Sequence, residues 1–176
     1  MSTKTSKDQI ALVAYDPNWP AQFVAEERLL REALDPALLL DIQHFGSTAI
    51  PGLAAKPIID ILIAVPLLSA ARSSFVAPLD ALGYAFWADN PKTDRLFFVK
   101  GMPPYGERRT HHIHVAEPGA EPWQRLPFRD YLRAHSEAAQ RYEILKRDLA
   151  ERYPNDREAY TAAKEDFVND ILARCE

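Results

Sequence analysis

One cysteine in 176 residues, Cys175, leaves no partner for an internal disulfide. That usage fits a reducing, cytoplasmic setting. Long hydrophobic runs are missing as well. The longest apolar stretch, Pro57 to Leu68, is broken by Asp60 and Pro66, far short of the roughly 20 apolar residues that cross a bilayer, so no membrane association is expected. Nor is there an excess of one charge. Lys and Arg number 21 against 25 Asp and Glu, a net charge of −4, which gives no general attraction to nucleic acid and requires any anion site to be local. Met1 to Asp8 has no apolar centre to serve as a secretory signal and is expected to form a disordered tail.

The length suits one domain over residues 9–176, able to bury roughly two thirds of its unfolded surface. Asp16-Pro17 announces a first helix, in which Phe23, Leu30 and Leu34 keep helical spacing and which ends near Asp35-Pro36. Leu38 to Phe45 and Pro57 to Val65 read as buried strands, with a polar loop from Gly46 to Lys56 between them. Phe75, Leu79 and Leu82 mark a helix closed by Gly83. Short strands follow at Tyr84 to Trp87, Arg95 to Lys100 and Thr110 to Val115. From Pro122 onward three helices are expected, the last carrying Tyr160, Phe167, Ile171 and Leu172. Central strands flanked by helices make an α+β, or mixed α/β, domain with a mixed sheet and a helical C-terminal region.

Chemistry gathers around the loop. Gly46-Ser47 at a strand end can bring backbone N–H groups and a hydroxyl against a phosphate, or can be no more than a tight turn. Asp60 interrupts an apolar strand and shares a face with Leu62, opposite Ile59, Ile61 and Ile63. It either pairs with an internal donor or cation, or offers oxygen to a divalent metal. His112 and His114 alternate on one strand face and suit metal binding, phosphate binding, acid–base work or structural hydrogen bonding. Lys56 stands at the mouth of the loop, and Arg95, Lys100 and Arg129 are further anion candidates within two basic groups that otherwise read as solvated faces. The loop lacks the spacing of a Walker phosphate loop.

Several stretches together resemble the GrpB family, placed in the nucleotidyltransferase superfamily with its DNA polymerase beta-like fold. They are Tyr15-Asp16-Pro17-Asn18-Trp19-Pro20, the run from His44 to Ile61, His112-Ile113-His114-Val115 and Phe128 to Arg133, continuing into Tyr142 with Lys146 and Tyr160 with Lys164 and Phe167. The resemblance implies a nucleotidyltransferase-like mixed sheet, with phosphate contacts in the run that holds His44, Gly46, Ser47 and Thr48. It also implies two metal-binding carboxylates at alternate positions of the next strand. Asp60 matches the first of these, and the second falls on Leu62. His112 and His114 are the residues that would complete a metal site with Asp60, favouring Mn or Zn over Mg.

The expected function is binding of a nucleotide or another phosphorylated small molecule, with metal-dependent nucleotidyl transfer centred on Asp60, His112 and His114 as its enzymatic form. Two alternatives stand beside it: a catalytically inactive ligand-binding or protein-interaction module, and a metal-dependent hydrolase built on the His pair and Asp60. Some GrpB-like domains are joined to dephospho-coenzyme A kinase, an association with nucleotide or coenzyme A metabolism.

Overall fold

The computed structural model describes residues 9–175, so the tail expected over residues 1–8 lies outside the described residues. The first helix, α1, runs Trp19–Ala33, later than the Asp16-Pro17 signal suggests. Asp16 instead closes a turn ahead of the helix, its carboxylate accepting from the Asn18 N–H at 2.8 Å. Pro20 sits in the first helical turn, where a missing N–H leaves no bond unmade. The strand expected from Leu38 is shorter, β1 covering Asp41–Phe45. Its first residues are taken by a 3-10 turn, Pro36–Leu38, set up by the Asp35 side chain accepting from the Ala37 N–H.

Strand β2 spans Ile59–Ala64, helix α2 Leu68–Ala81, and strands β3, β4 and β5 Tyr84–Phe86, Leu96–Lys100 and His111–Ala116. They form one mixed sheet in the order β1-β2-β5-β4-β3. β2 and β5 run parallel at its centre and the other neighbours pair antiparallel. The C-terminal helices are α3, Leu126–Ala134, α4, Ser136–Arg152, α5, Arg157–Ala162, and α6, Glu165–Leu172. The single last helix expected from the sequence is therefore two, broken at Ala163 and Lys164.

Register assigns each side chain to a face, because residues directly opposite across paired strands project the same way. Ile59, Ile61 and Ile63 join Ile113, Val115 and Phe98 in the main core, covered by Trp19, Leu30 and Leu34 of α1 and its flank and by Phe75 and Leu79 of α2. The opposite face carries Asp60 beside His112 and Phe45, and Leu62 beside His114. A second core of Ile50, Leu53, Phe128, Leu132, Tyr142, Val168 and Ile171 packs the C-terminal helices onto the Gly46 to Lys56 loop. The polar face of the sheet and these helices are thus the two walls of a cleft. Among the described residues no helix is long and apolar enough to cross a membrane.

Candidate functional site

Gly46 ends β1 with φ +72°, a backbone conformation that L side chains rarely adopt. A Cβ at that position would run into the Asp60 carboxylate. Glycine is thus required twice over, for backbone shape and for close approach of the turn to the acid. Ser47 to Ala49 then form a 3-10 turn. The loop beyond is held by side chains from the C-terminal helices. Arg133 donates to the Ala49 carbonyl at 2.8 Å, Glu143 accepts from the Ala54 N–H at 2.9 Å, and Lys146 donates to the Ala54 carbonyl. Thr48 Oγ1 donates to the Ile58 carbonyl at 3.1 Å and ties the turn to the start of β2.

Asp60 lies at the floor of the cleft, its Oδ1 3.2 Å from His112 Nδ1. Burial alone would push its carboxyl up. The His112 hydrogen bond, together with the fields of His112, His114 and Lys56, outweighs burial and holds the group below the usual carboxylate range. His114 stands two residues along the same strand, against Phe97 at 4.7 Å and edge-on to Phe45 at 5.3 Å. Burial lowers its pKa to about 3, Asp60 opposing and nearby cations assisting. His112 Nε2 and His114 Nδ1 are both buried without a hydrogen-bond partner.

The cleft divides into two connected cavities. The outer, of about 240 Å³, opens beside His114 and Phe45 and carries Arg95, Arg125 and Arg129. The inner, of about 170 Å³, opens beside His112 and carries Lys56, Lys146 and Lys164. Gly46, Ser47, Asp60, Tyr142 and Lys164 line both.

The arginines of the outer cavity are already engaged. Arg95 pairs with Asp94 at 2.9 Å and Glu121 at 2.6 Å, and Arg125 pairs with Glu121 at 2.6 Å and Glu165 at 3.0 Å. Arg129 donates to the Gln43 side chain at 3.0 Å and to the His44 carbonyl at 2.8 Å, fastening α3 to β1. The lysines of the inner cavity differ. Lys146 is 2% exposed over the Tyr142 ring, and Lys56 and Lys164 lie over the Tyr160 ring at 5.4 and 4.3 Å. No ion pair to a carboxylate is formed by any of the three among the described residues. Burial first, and mutual repulsion after it, lowers Lys146 and Lys164 to about 7, and burial with the nearby Arg157 lowers Lys56.

The residues singled out from the sequence are only partly brought together. Gly46, Ser47, Thr48, Lys56, Asp60, His112, His114, Arg95 and Arg129 all line the cleft. His44 does not, because it faces the opposite side of the sheet from Asp60. There it stacks on Phe23 at 4.8 Å and reaches Thr48 Oγ1 at 3.0 Å. Lys100 also lies on that far face, paired with Glu26 at 2.7 Å, and Glu26 in turn accepts from the Tyr84 hydroxyl. Among the described residues no three His, Cys, Asp or Glu side chains are grouped so as to hold a metal ion.

Arg125, which belongs with Arg129 and Arg133 to one of the two basic groups, lines the cleft, and so do Lys146, Lys164 and Tyr142, which the sequence does not mark as site residues. One signal was available for Lys146. It falls in the apolar stripe of Tyr142, Leu145 and Leu149, and a lysine on a buried helix face calls for an explanation.

The family model described as GrpB protein matches residues 9–174. A UPF0157 protein of Pseudomonas aeruginosa is 52% identical over 168 residues, 95% of this chain and 68% of its own length. The glutamate-rich protein GrpB of Alkalihalophilus pseudofirmus is 39% identical over 95% of this chain and 96% of its own. A protein named dephospho-CoA kinase from Mycolicibacterium paratuberculosis is 35% identical, with 94% of this chain matching 46% of its length. Among solved structures, the conserved protein GrpB of Enterococcus faecalis superposes with a TM-score of 0.82 at 32% identity, over 94% of this chain and 96% of that one. A family match over nearly all the described residues and a shared fold at that identity agree: the chain belongs to the GrpB family.

Proposed function

We propose that this GrpB protein binds a nucleotide or another phosphorylated small molecule in the cleft between the polar sheet face and the C-terminal helices. One observation carries the reading: the Gly46-Ser47 turn sits where two cation-lined cavities meet, directly beside Asp60. The Ser47 hydroxyl and the backbone amides of the turn supply donors at that junction, and the surrounding lysines supply charge. A strand, a Gly-Ser turn and a carboxylate on the next, antiparallel strand follow the nucleotidyltransferase pattern, which supports a nucleotide as the ligand. The likeness to part of a protein named dephospho-CoA kinase agrees with it.

Metal-dependent nucleotidyl transfer asks for a centre that this donor set does not fit. Leu62, fully buried, stands where a second carboxylate is needed, and Asp60 is engaged by His112. Asp60, His112 and His114 are the groups that a divalent ion such as Mg, Mn or Zn would meet there. Binding without transfer is the reading that Leu62 favours.

A thermal-shift panel of adenosine, AMP, ADP and ATP, each with EDTA or a divalent metal, tests the proposal. Stabilisation by the phosphorylated compounds, reduced in Ser47→Ala, is expected. No stabilisation by any member of the panel overturns it.

A further inference from the structure

The inner cavity poses a charge problem that the fold does not solve internally. Lys56, Lys146 and Lys164 line it together, while Asp60, the one carboxylate among the residues lining it, is hydrogen-bonded to His112, and Glu143 and Glu165 act on Lys146 and Lys164 only from outside the lining. The outer cavity shows the contrast: Arg95 and Arg125 alternate with Asp94, Glu121 and Glu165 in a chain of ion pairs. An ammonium group taken out of water without an acidic partner is costly, and three facing one cavity repel one another besides. Tyr142 and Tyr160 beneath them, and the Ala54 carbonyl that accepts from Lys146, offset only part of that cost. His112 Nε2 adds an unpartnered buried nitrogen on the wall of this cavity.

We propose that the inner cavity is a polyphosphate subsite in which Lys56, Lys146 and Lys164 supply the charge that bound metal would otherwise provide. Its ligand is the terminal part of a nucleoside di- or triphosphate, or of another compound with two or more linked phosphates.

This deepens the phosphate-binding reading of the cleft and rests on it. A single phosphate group carries about −1.5 to −2 near neutral pH. Three ammonium groups therefore match at least two linked phosphates better than one. Lys164 and Ser47 line both cavities, so a phosphate chain anchored among the lysines runs past the turn, and the rest of the molecule occupies the outer cavity. The absent second carboxylate at Leu62 fits the same picture, because a site that carries its own positive charge does not depend on two acids to hold metal.

The test is calorimetric titration of the full chain, in EDTA, with inorganic orthophosphate, pyrophosphate and tripolyphosphate, and in parallel with ATP. Pyrophosphate and tripolyphosphate are expected to bind without divalent metal, with orthophosphate much weaker. Lys146→Met and Lys164→Met should each weaken tripolyphosphate binding by about tenfold to a hundredfold, the loss of one charge-assisted hydrogen bond. Lys164 is only half buried, so its variant carries the test if Lys146→Met does not fold. Binding of the phosphates only when a divalent metal is added, or undiminished affinity in a folded Lys164→Met, overturns the inference. ATP binding that persists unchanged in the lysine variants overturns this subsite and leaves the broader reading standing. Absence of binding by ATP and by every polyphosphate overturns both.

Discussion

Gly46 lies against the side chain of Asp60 so closely that no other residue can take its place without moving the carboxylate. The contact joins the Gly46-Ser47 turn to the acid of the next strand, and the left-handed φ of +72° makes the turn intolerant of a side chain on its own account. Gly46→Ala is therefore expected to lower stability by about 1–3 kcal/mol in urea unfolding. The double variant Gly46→Ala with Asp60→Gly should recover part of that loss but not all of it, since removing the carboxylate relieves the clash and leaves the backbone strain. Strict additivity of the two changes would contradict the contact.

Arg129 fastens a helix to the sheet. Its guanidinium joins α3 to the Gln43 side chain and the His44 carbonyl at the end of β1, with 9% of the residue exposed. Arg129→Met should cost about 1–3 kcal/mol by leaving the buried His44 carbonyl without this donor. A loss of ligand affinity with unchanged unfolding midpoint would show that its role lies in binding instead.

His44 sets an acid limit on stability. The one hydrogen of Thr48 Oγ1 goes to the Ile58 carbonyl, so His44 donates its Nε2–H to that oxygen and remains neutral. Burial first, with Arg133 and Arg129 adding to it against the pull of Asp60, lowers the imidazole from 6.5 to about 4. The unfolded chain takes up the proton between those values and the folded chain does not, so stability falls as pH drops from 6.5 toward 4. Urea midpoints measured across that range should fall less steeply in His44→Gln, which keeps an N–H donor. Identical slopes would contradict the assignment.

Lys146 and Lys164 act at the other end of the scale. Their pKa values fall from 10.5 to about 7 on folding, so between these limits the unfolded chain holds protons that the folded chain has released. Stability should therefore rise with pH from about 7 to 10.5 and carry the full penalty below 7. Lys146→Met is expected to flatten that rise. A polyphosphate ligand should do the reverse of unfolding at the site, drawing protons onto the lysines. Calorimetry near pH 8 in buffers of differing ionisation enthalpy should show proton uptake on binding, and none would contradict the charge balance of the inner cavity.

Much of this arrangement was legible in the sequence wherever a short-range rule decided it. Alternation along β2 and β5 put Asp60 and Leu62 on one face and His112 with His114 on one face, and the pairing of the two strands makes those faces the same. Gly46 declared itself as a turn. Less legible were features set by long-range packing. His44 and Lys100 carry the right chemistry for an anion site, but strand register turns both toward α1, where Phe23 and Glu26 wait for them. Lys146 comes from α4 and Lys164 from the break between α5 and α6, both about 90 residues or more beyond the turn that they flank, and no local pattern gives that distance. The break at Ala163 and Lys164, which a continuous helical stripe conceals, separates α5 from α6 beside the cavity.

The most direct measurement is a crystal structure of the protein soaked with ATP in the presence of EDTA. Phosphate density is expected in the inner cavity among Lys56, Lys146 and Lys164, with the phosphate chain passing Ser47 and the nucleoside in the outer cavity. Phosphates seated away from the lysines, or a cleft left empty under conditions where ATP is shown to bind, would contradict that placement.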